Sequence, residues 1–201
     1  MKLLVTSFEP FGGERLNSSQ ETLALLPTEV GGTQLVKRTL PVAFAAAAEE
    51  LRRIVAAELP DAVLCLGQAG DRRALTPERV AVNLADARIP DNTGAQPEDE
   101  PVIPGAPAAY FATLPVKAMT EAIRAEGLPA ELSNSAGTFV CNAVLYTLLD
   151  LQARTYPHMR GGFLHLPRLA EQAAVRDGAF GLTREELAQG VRAALKAIIE
   201  E

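Results

Sequence analysis

Apolar and polar positions along the chain fall into blocks that predict strands and helices in turn. Short apolar runs bounded by Gly or Pro indicate strands, whereas longer stretches with apolar residues three or four positions apart indicate amphipathic helices. The predicted strands are 2–8, 34–42, 62–67, 79–85 and 161–166, with 131–135 as a further candidate. The predicted helices are 17–26, 43–58, 116–126, 141–152 and 184–200.

This alternation of strands and helices is typical of an α/β protein. We expect residues 1–201 to form a single-domain three-layer α/β/α sandwich with a mostly parallel or mixed central sheet. Thr183 and Glu186 make a capping-box pattern at the start of the last helix. Segment 88–107 holds five prolines and two glycines and predicts a long irregular loop.

Composition places the chain among ordinary globular proteins and argues against several functional classes. Hydrophobic residues make up 48% and charged residues 22% of the 201 positions, enough for a large core. The net charge of −6 disfavours nucleic-acid binding, which needs clustered Lys and Arg. No window approaches the roughly 18 apolar residues of a membrane span, and the N-terminus lacks a signal-peptide core. We expect a cytoplasmic protein that binds neither nucleic acid nor membranes.

The chain has two histidines and two cysteines, and the cysteines are far apart in sequence. They do not form a disulfide framework, and no CxxC or HxxxH spacing indicates a metal site. Free thiols of this kind are usual in a reducing compartment. We therefore expect no metal and no cofactor, and any chemistry has to come from side chains.

Cys141 is the candidate nucleophile. It follows the small-residue segment 135–138 (SAGT) and stands in the first turn of a predicted helix. Free backbone N–H groups and the helix dipole lower a thiol pKa there, and the same N–H groups can form an oxyanion hole. A buried structural cysteine is the alternative, because free Cys is among the most buried residue types. Cys65, inside the apolar run AVLCLG, is expected in the core.

A cysteine nucleophile needs a base, and the base needs a group that orients it. His165 ends the apolar strand GGFLHLP and points either into the packing or into a cleft. His158 lies in TYPHMRGG, a turn typical of a solvated surface histidine. Glu78, at the entrance to RVAVNLA, is the most suggestive acid, although its local sequence favours a solvated carboxylate or a pair with Arg79.

Six segments taken together resemble the pyroglutamyl-peptidase I (pyrrolidone-carboxylate peptidase) family. They are FEPFGG (8–13), GQAGDR (67–72), TPERVAVN (76–83), ARIPDNTGAQP (87–97), SNSAGTFVCN (133–142) and GGFLHLP (161–167). The resemblance covers essentially the whole chain. It implies a cytoplasmic cysteine peptidase, often a homotetramer, that removes an N-terminal pyroglutamyl (5-oxoproline) residue from peptides through a thioester acyl-enzyme.

The same resemblance implies roles for individual residues. Cys141 matches the nucleophile, His165 the base and Glu78 the acidic third member of a triad. Arg88 matches a residue beside the site and is a candidate for oxyanion support. The residues that match the substrate pocket or its surroundings are Phe8, Phe11, Gln68, Ile89, Phe139 and Val140.

The chain departs from the family pattern at three positions. They are Ser7, Ser18 and Asp71, where Gly, Pro and Gly are frequent.

Two other functions stay open. The strand–glycine loop–helix junction SFEPFGGERLNSS is of the kind that binds phosphate, although it contains neither GxxxxGK[ST] nor GxGxxG. The second alternative is an inactive scaffold that uses segment 88–107 for assembly.

Overall fold

Three apolar strands of seven residues, all predicted from the sequence, form the middle of the sheet in a computed structural model that describes residues 1–201. The strands are β1 (Lys2–Phe8), β2 (Glu29–Val30), β3 (Thr33–Leu40), β4 (Ala62–Gln68), β5 (Thr76–Pro77), β6 (Val80–Val82), β7 (Ala109–Phe111), β8 (Arg160–Leu166), β9 (Arg168–Leu169) and β10 (Gly181–Leu182). The helices are α1 (Ser18–Leu25), α2 (Phe44–Glu58), α3 (Val116–Ala125), α4 (Val140–Arg154), α5 (Ala170–Ala173) and α6 (Arg184–Glu200).

The central sheet is mixed, with the strand order β2-β3-β1-β4-β8-β5. Strands β3, β1, β4 and β8 are parallel, whereas β2 and β5 pair antiparallel at the two edges. The carboxyl ends of β1, β4 and β8 therefore meet at one edge of the sheet. In open α/β sheets this edge is where ligands bind.

Helices cover both faces of the sheet. Helices α1, α3 and α6 pack on one face through a cluster that includes Leu23, Ile123 and Val191. Helices α2 and α4 pack on the other face through residues such as Leu51 and Val144. Because both faces are covered, the central strands consist of almost continuous apolar runs. The predicted three-layer α/β/α sandwich is confirmed.

Side-chain capping fixes the start of two helices. The Asn17 side chain accepts the N–H of Ser19 at the start of α1. Thr183 and Glu186 form the predicted capping box at the start of α6. Each cap satisfies N–H groups that the first turn of a helix leaves free.

Two of the predicted strands differ from the structure. Segment 79–85 forms only the short strand β6, which pairs with β7 in a separate two-stranded sheet. The candidate strand 131–135 does not form, because only Ser133 in this stretch makes a bridge, to Glu78. Sequence analysis also missed β2, β5, β7, β9, β10 and α5. Elements of two to four residues are too short to show a periodic pattern.

Segment 88–107 contains no helix or strand, as predicted. Hydrogen bonds nevertheless fix its path. The Asn83 side chain accepts the N–H of Ile103 and donates to the carbonyls of Ile103 and Ala106. Elsewhere in the fold, no helix combines the length and the hydropathy that a membrane span requires.

Candidate active site

The three candidate catalytic residues lie at the carboxyl edge of the parallel strands. His165 is near the end of β8, Glu78 directly follows β5, and Cys141 is the second residue of α4. The edge strand β5 pairs with β8 so that Thr76 stands opposite His165. The fold thus gathers three distant segments of the sequence into one place.

Helix α4 carries the Cys141 thiol in its first turn. Phe139 is the N-cap residue, in an extended conformation, and no side chain caps the helix. The backbone N–H groups of Val140, Cys141 and Asn142 have no acceptor in the chain, as is usual for a first turn. These groups can donate to a negatively charged oxygen that develops on a bound substrate.

A glycine on β4 makes room for this thiol. A Cβ at Gly67 would lie 2.9 Å from Cys141 Sγ and 2.6 Å from Cζ of Phe163, closer than packed atoms approach. Gly67 on β4 pairs in register with His165 on β8. The ring centroids of Phe163 and His165 are 4.6 Å apart. Paired residues on parallel strands point to the same face. The thiol and the imidazole therefore share one face of the sheet.

His165 and Glu78 form a buried hydrogen-bonded pair. Nδ1 of His165 lies 2.7 Å from Oε1 of Glu78, and the two side chains are 4% and 0% exposed. A carboxylate only accepts hydrogen bonds, so Nδ1 carries the proton and donates it. The other nitrogen, Nε2, is then the basic one. This is the tautomer that a general base requires.

Burial determines the resting protonation of the thiol and the imidazole. Burial lowers the pKa of His165; the hydrogen bond and charge of Glu78 oppose this, while the charge of Arg72 adds to it. Burial, followed by the charge of Glu78, raises the pKa of the Cys141 thiol to about 12. Lost hydration therefore outweighs the lowering of the thiol pKa by the first-turn N–H groups in the resting protein. Both groups are neutral at neutral pH.

The second cysteine is enclosed in the core beneath this arrangement, and the second histidine lies away from it. Cys65, on β4, is 0% exposed, and burial raises the pKa of its thiol to about 12. His158 is exposed at the opposite edge of the sheet, where it lines a cleft of about 250 Å³ with Leu59 and Asp61. The expected core position of Cys65 and surface position of His158 are confirmed.

An aromatic cluster lies beside the start of α4. The ring centroid of Phe139 is 6.2 Å from that of Phe11 and 5.3 Å, edge to face, from that of Phe44. All three rings are partly exposed, and Ile89 is 39% exposed near the glycine turn that follows β1. These side chains give the site an apolar surface, suited to an uncharged ring.

The other predicted site residues differ in their positions. Phe8 and Val140 are only 2% and 1% exposed, so they support the site from the core and offer little open surface. Gln68 Oε1 accepts the N–H of Ser18, which leaves Nε2 without a partner in the chain. Arg88 is exposed and makes no ion pair. No hydrogen bond or ion pair joins Arg88 to the triad.

Three residues at this site were not predicted from the sequence. Phe44 completes the aromatic cluster, and Arg72 pairs with Glu78 at 2.6 Å. Asn142 is fully buried and hydrogen-bonds to the backbone of segment 82–84 on both its side-chain oxygen and nitrogen. In the sequence, Asn142 is a polar residue directly after the candidate nucleophile and inside an apolar run, and this pattern could have indicated its role. Arg72 stood inside the GQAGDR segment, and Phe44 gave no signal beyond its position before an alanine run.

Comparison with known proteins identifies the family of the chain. The family model described as "Pyroglutamyl peptidase" matches residues 1–201. The chain belongs to the pyroglutamyl peptidase family. A relative named pyrrolidone-carboxylate peptidase, from Levilactobacillus brevis, is 48% identical over 199 residues, covering 99% of this chain and 98% of the relative. Pyrrolidone-carboxylate peptidase 1 of Streptococcus pneumoniae is 47% identical, covering 100% and 94%.

Solved structures of the pyroglutamyl peptidase family match the whole fold. Pyroglutamyl peptidase I of Bacillus amyloliquefaciens superposes with a TM-score of 0.95 at 41% identity, covering 100% of this chain and 97% of that chain. A mutant pyrrolidone carboxyl peptidase of Pyrococcus furiosus gives a TM-score of 0.95 at 41% identity, covering 100% and 99%. The resemblance drawn from the sequence is confirmed, and the chain is a hydrolase of the pyroglutamyl-peptidase I type.

Proposed function

We propose that the chain cleaves the peptide bond after an N-terminal pyroglutamyl residue by covalent catalysis, with Cys141 as nucleophile, His165 as general base and acid, and Glu78 as the residue that orients the imidazole. The observation that carries this proposal is the buried His165–Glu78 pair on the face of the sheet that also holds the Cys141 thiol. Peptides with an N-terminal pyroglutamate are the proposed substrates.

Substrate recognition follows from the character of the lactam. Its ring is uncharged, with apolar faces, one C=O and one N–H. The cluster of Phe11, Phe44 and Phe139 suits the ring faces, and the free Nε2 of Gln68 is a donor for the ring carbonyl. Asp91, beside Phe44, already accepts four hydrogen bonds from within the chain. The three aromatic rings offer no negative charge to a substrate ammonium, whose desolvation against them is costly.

In the acylation step, Nε2 of His165 removes the thiol proton as Sγ of Cys141 attacks the carbonyl that joins the pyroglutamyl ring to the next residue. This transfer is needed because the resting thiol is neutral. The unpaired N–H groups of the first turn of α4 stabilise the oxyanion. The imidazolium then protonates the departing amine, the C–N bond breaks, and a thioester remains on Cys141.

In the deacylation step, water attacks the thioester carbonyl while Nε2 of His165 accepts a proton from it. The C–S bond breaks, pyroglutamate leaves, and the proton returns to the Cys141 sulfur. Glu78 keeps Nδ1 protonated throughout, so that Nε2 exchanges protons in both steps. The triad is thereby restored to its resting protonation state.

The test compares two fluorogenic amides that differ only at the ring. We expect release of the fluorophore from the pyroglutamyl amide, none from the matched prolyl amide, and loss of release after treatment with iodoacetamide. No release of the fluorophore by the folded protein would contradict the proposal and favour the alternative of an inactive scaffold. Equal turnover of both amides would contradict the proposed recognition of the lactam.

The phosphate-binding alternative lacks a binding surface in this structure. The first four N–H groups of α1, from Ser18 to Glu21, all have acceptors within the chain, namely Gln68 and Asn17. A helix N-terminus binds phosphate through N–H groups that are free. The geometry at this helix favours a structural role.

We also propose that residues 1–201 act as one peptidase domain in the cytoplasm and assemble as a homotetramer. The family resemblance supports this proposal. Multi-angle light scattering on the purified chain measures the assembly directly. A mass of four chains is expected, and a monomer mass at micromolar concentration would contradict it.

A further inference from the structure

Arg72 connects three segments around the active site. It lies in the turn between β4 and β5, and its side chain is 25% exposed. Its Nη1 forms an ion pair with Glu78 Oε1 at 2.6 Å and also donates to the Thr76 hydroxyl. Its Nη2 donates to the backbone carbonyl of Ser135 at 2.8 Å. The guanidinium fork therefore links the acid of the triad to the loop that leads into Cys141.

The ion pair uses the same carboxylate oxygen as the imidazole. Oε1 of Glu78 faces both Arg72 Nη1 and His165 Nδ1, while Oε2 is buried without any partner. A buried carboxylate with one neutral partner would draw a proton onto the imidazole, since an opposite charge favours the charged form. The Arg72 guanidinium supplies the positive charge that balances Glu78, so the His165 imidazole can stay neutral. Its nitrogen Nε2 then stays free to take the thiol proton.

The other arginines near the site do not replace this contact. Arg73 stacks over the ring of Phe180 at 5.3 Å, and Arg79 donates to the side chain of Asn134. Arg168 donates to the carbonyl of Gly70 and lies 3.7 Å from Asp71. None of them reaches the triad. Arg73 is therefore a matched control, because it is the next residue in the same turn and has the same charge.

We propose that Arg72 is a positioning residue of the active site: it balances the charge of Glu78, which keeps His165 available as a neutral base, and it holds the loop before Cys141 in place. This inference rests on the proposed triad. The charged groups that act on His165 are Glu78 beside β5 and Arg72 in the β4–β5 turn. The titratable thiol of Cys141, on α4, lies against Gly67, the register partner of His165. Phe163, its neighbour on β8, is uncharged.

The direct test is an NMR titration of the two histidines, which needs no turnover. The chain contains only His158 and His165, so His158 serves as an internal reference in each sample. We expect Arg72→Gln to raise the titration midpoint of His165 by about one pH unit, because a neighbouring positive charge is lost. Arg73→Gln should leave it unchanged. An unchanged or lowered midpoint in Arg72→Gln would overturn the charge-balancing role.

Arg72→Lys distinguishes the effect of the positive charge from that of the two hydrogen-bonding nitrogens of the guanidinium. It also provides a second variant for measurement if Arg72→Gln does not fold. Lysine keeps the positive charge but has a single nitrogen, which cannot reach Glu78 and Ser135 together. We expect an unchanged His165 midpoint and a fall in kcat of about tenfold or more, with little change in KM. Wild-type kcat in Arg72→Lys would overturn the tethering role.

Activity profiles distinguish this inference from the proposed function itself. In Arg72→Gln, the acid limb of kcat/KM for a pyroglutamyl amide should move to higher pH together with the His165 midpoint. If the wild-type chain does not hydrolyse the amide at all, the proposed function fails. The NMR comparison still decides whether Arg72 controls His165.

Discussion

Cys65 and Cys141 occupy the same hydrophobic layer between the sheet and α4, and burial raises the pKa of both thiols to about 12. Their surroundings differ in two respects. Cys141 is partly exposed in a helical first turn with free N–H groups, and its sulfur lies over Gly67, the register partner of His165. Cys65 is fully enclosed in the middle of a strand. The resting pKa therefore does not identify the nucleophile; access and a nearby base do.

Removal of each thiol gives the largest contrast. We expect Cys141→Ala to lower kcat/KM by about 10,000-fold or more, because the covalent step is lost. Cys65→Ala should keep most of the activity and lose about 1 kcal/mol of stability, the cost of a small cavity in the core. Steady-state kinetics and thermal unfolding of both variants measure this. The reverse pattern would contradict the account.

The two histidines provide the next contrast. His165→Ala removes the base and should lower kcat by about 1,000-fold, whereas His158→Ala changes an exposed side chain at the far edge and should be nearly silent. The wild-type acid limb of kcat/KM should lie below pH of about 6.5, because burial lowers the pKa of His165 and the base stays neutral to lower pH. Equal losses in the two variants would show that the base is misassigned.

Strand β4 offers a smaller, steric contrast, since it carries both Cys65 and Gly67. Gly67→Ala places a methyl group against Cys141 Sγ and should lower kcat by about 100-fold through displacement of the thiol. Gly190→Ala is the control. Its methyl group would meet Leu75 at 2.7 Å inside the core, so it should reduce stability by about 1–3 kcal/mol but leave kcat unchanged. A fully active Gly67→Ala would contradict the proposed packing.

The pH dependence of alkylation gives the smallest effect. Because the pKa of Cys141 is raised to about 12, its thiolate fraction grows tenfold per pH unit through neutral pH. We expect iodoacetamide to label Cys141 at a rate that rises from pH 7 to 10 without a plateau, while Cys65 stays unlabelled until unfolding. A plateau near neutral pH would indicate a resting thiolate–imidazolium pair.

Local patterns in the sequence predicted the features that lie within one segment, whereas the grouping of Glu78, Cys141 and His165 came only from the family resemblance. The apolar runs gave the central strands, and the motif at 133–142 placed Cys141 at a helix start. The Arg72–Glu78–Ser135 contacts join three segments, and no pattern in any one of them records the others. The raised pKa of the Cys141 thiol could not be predicted from the sequence for the same reason, since burial depends on the packing of α4 against the sheet.

The most direct test of the covalent mechanism is to identify the residue to which the acyl group is attached. An activated pyroglutamyl ester, whose leaving group makes acylation fast, is mixed with the protein, quenched in acid during the burst, digested and analysed by mass spectrometry. The account predicts one pyroglutamyl group per chain, attached as a thioester to the peptide that contains Cys141. A group attached to Cys65, or a stoichiometric burst with no adduct on Cys141, would contradict it.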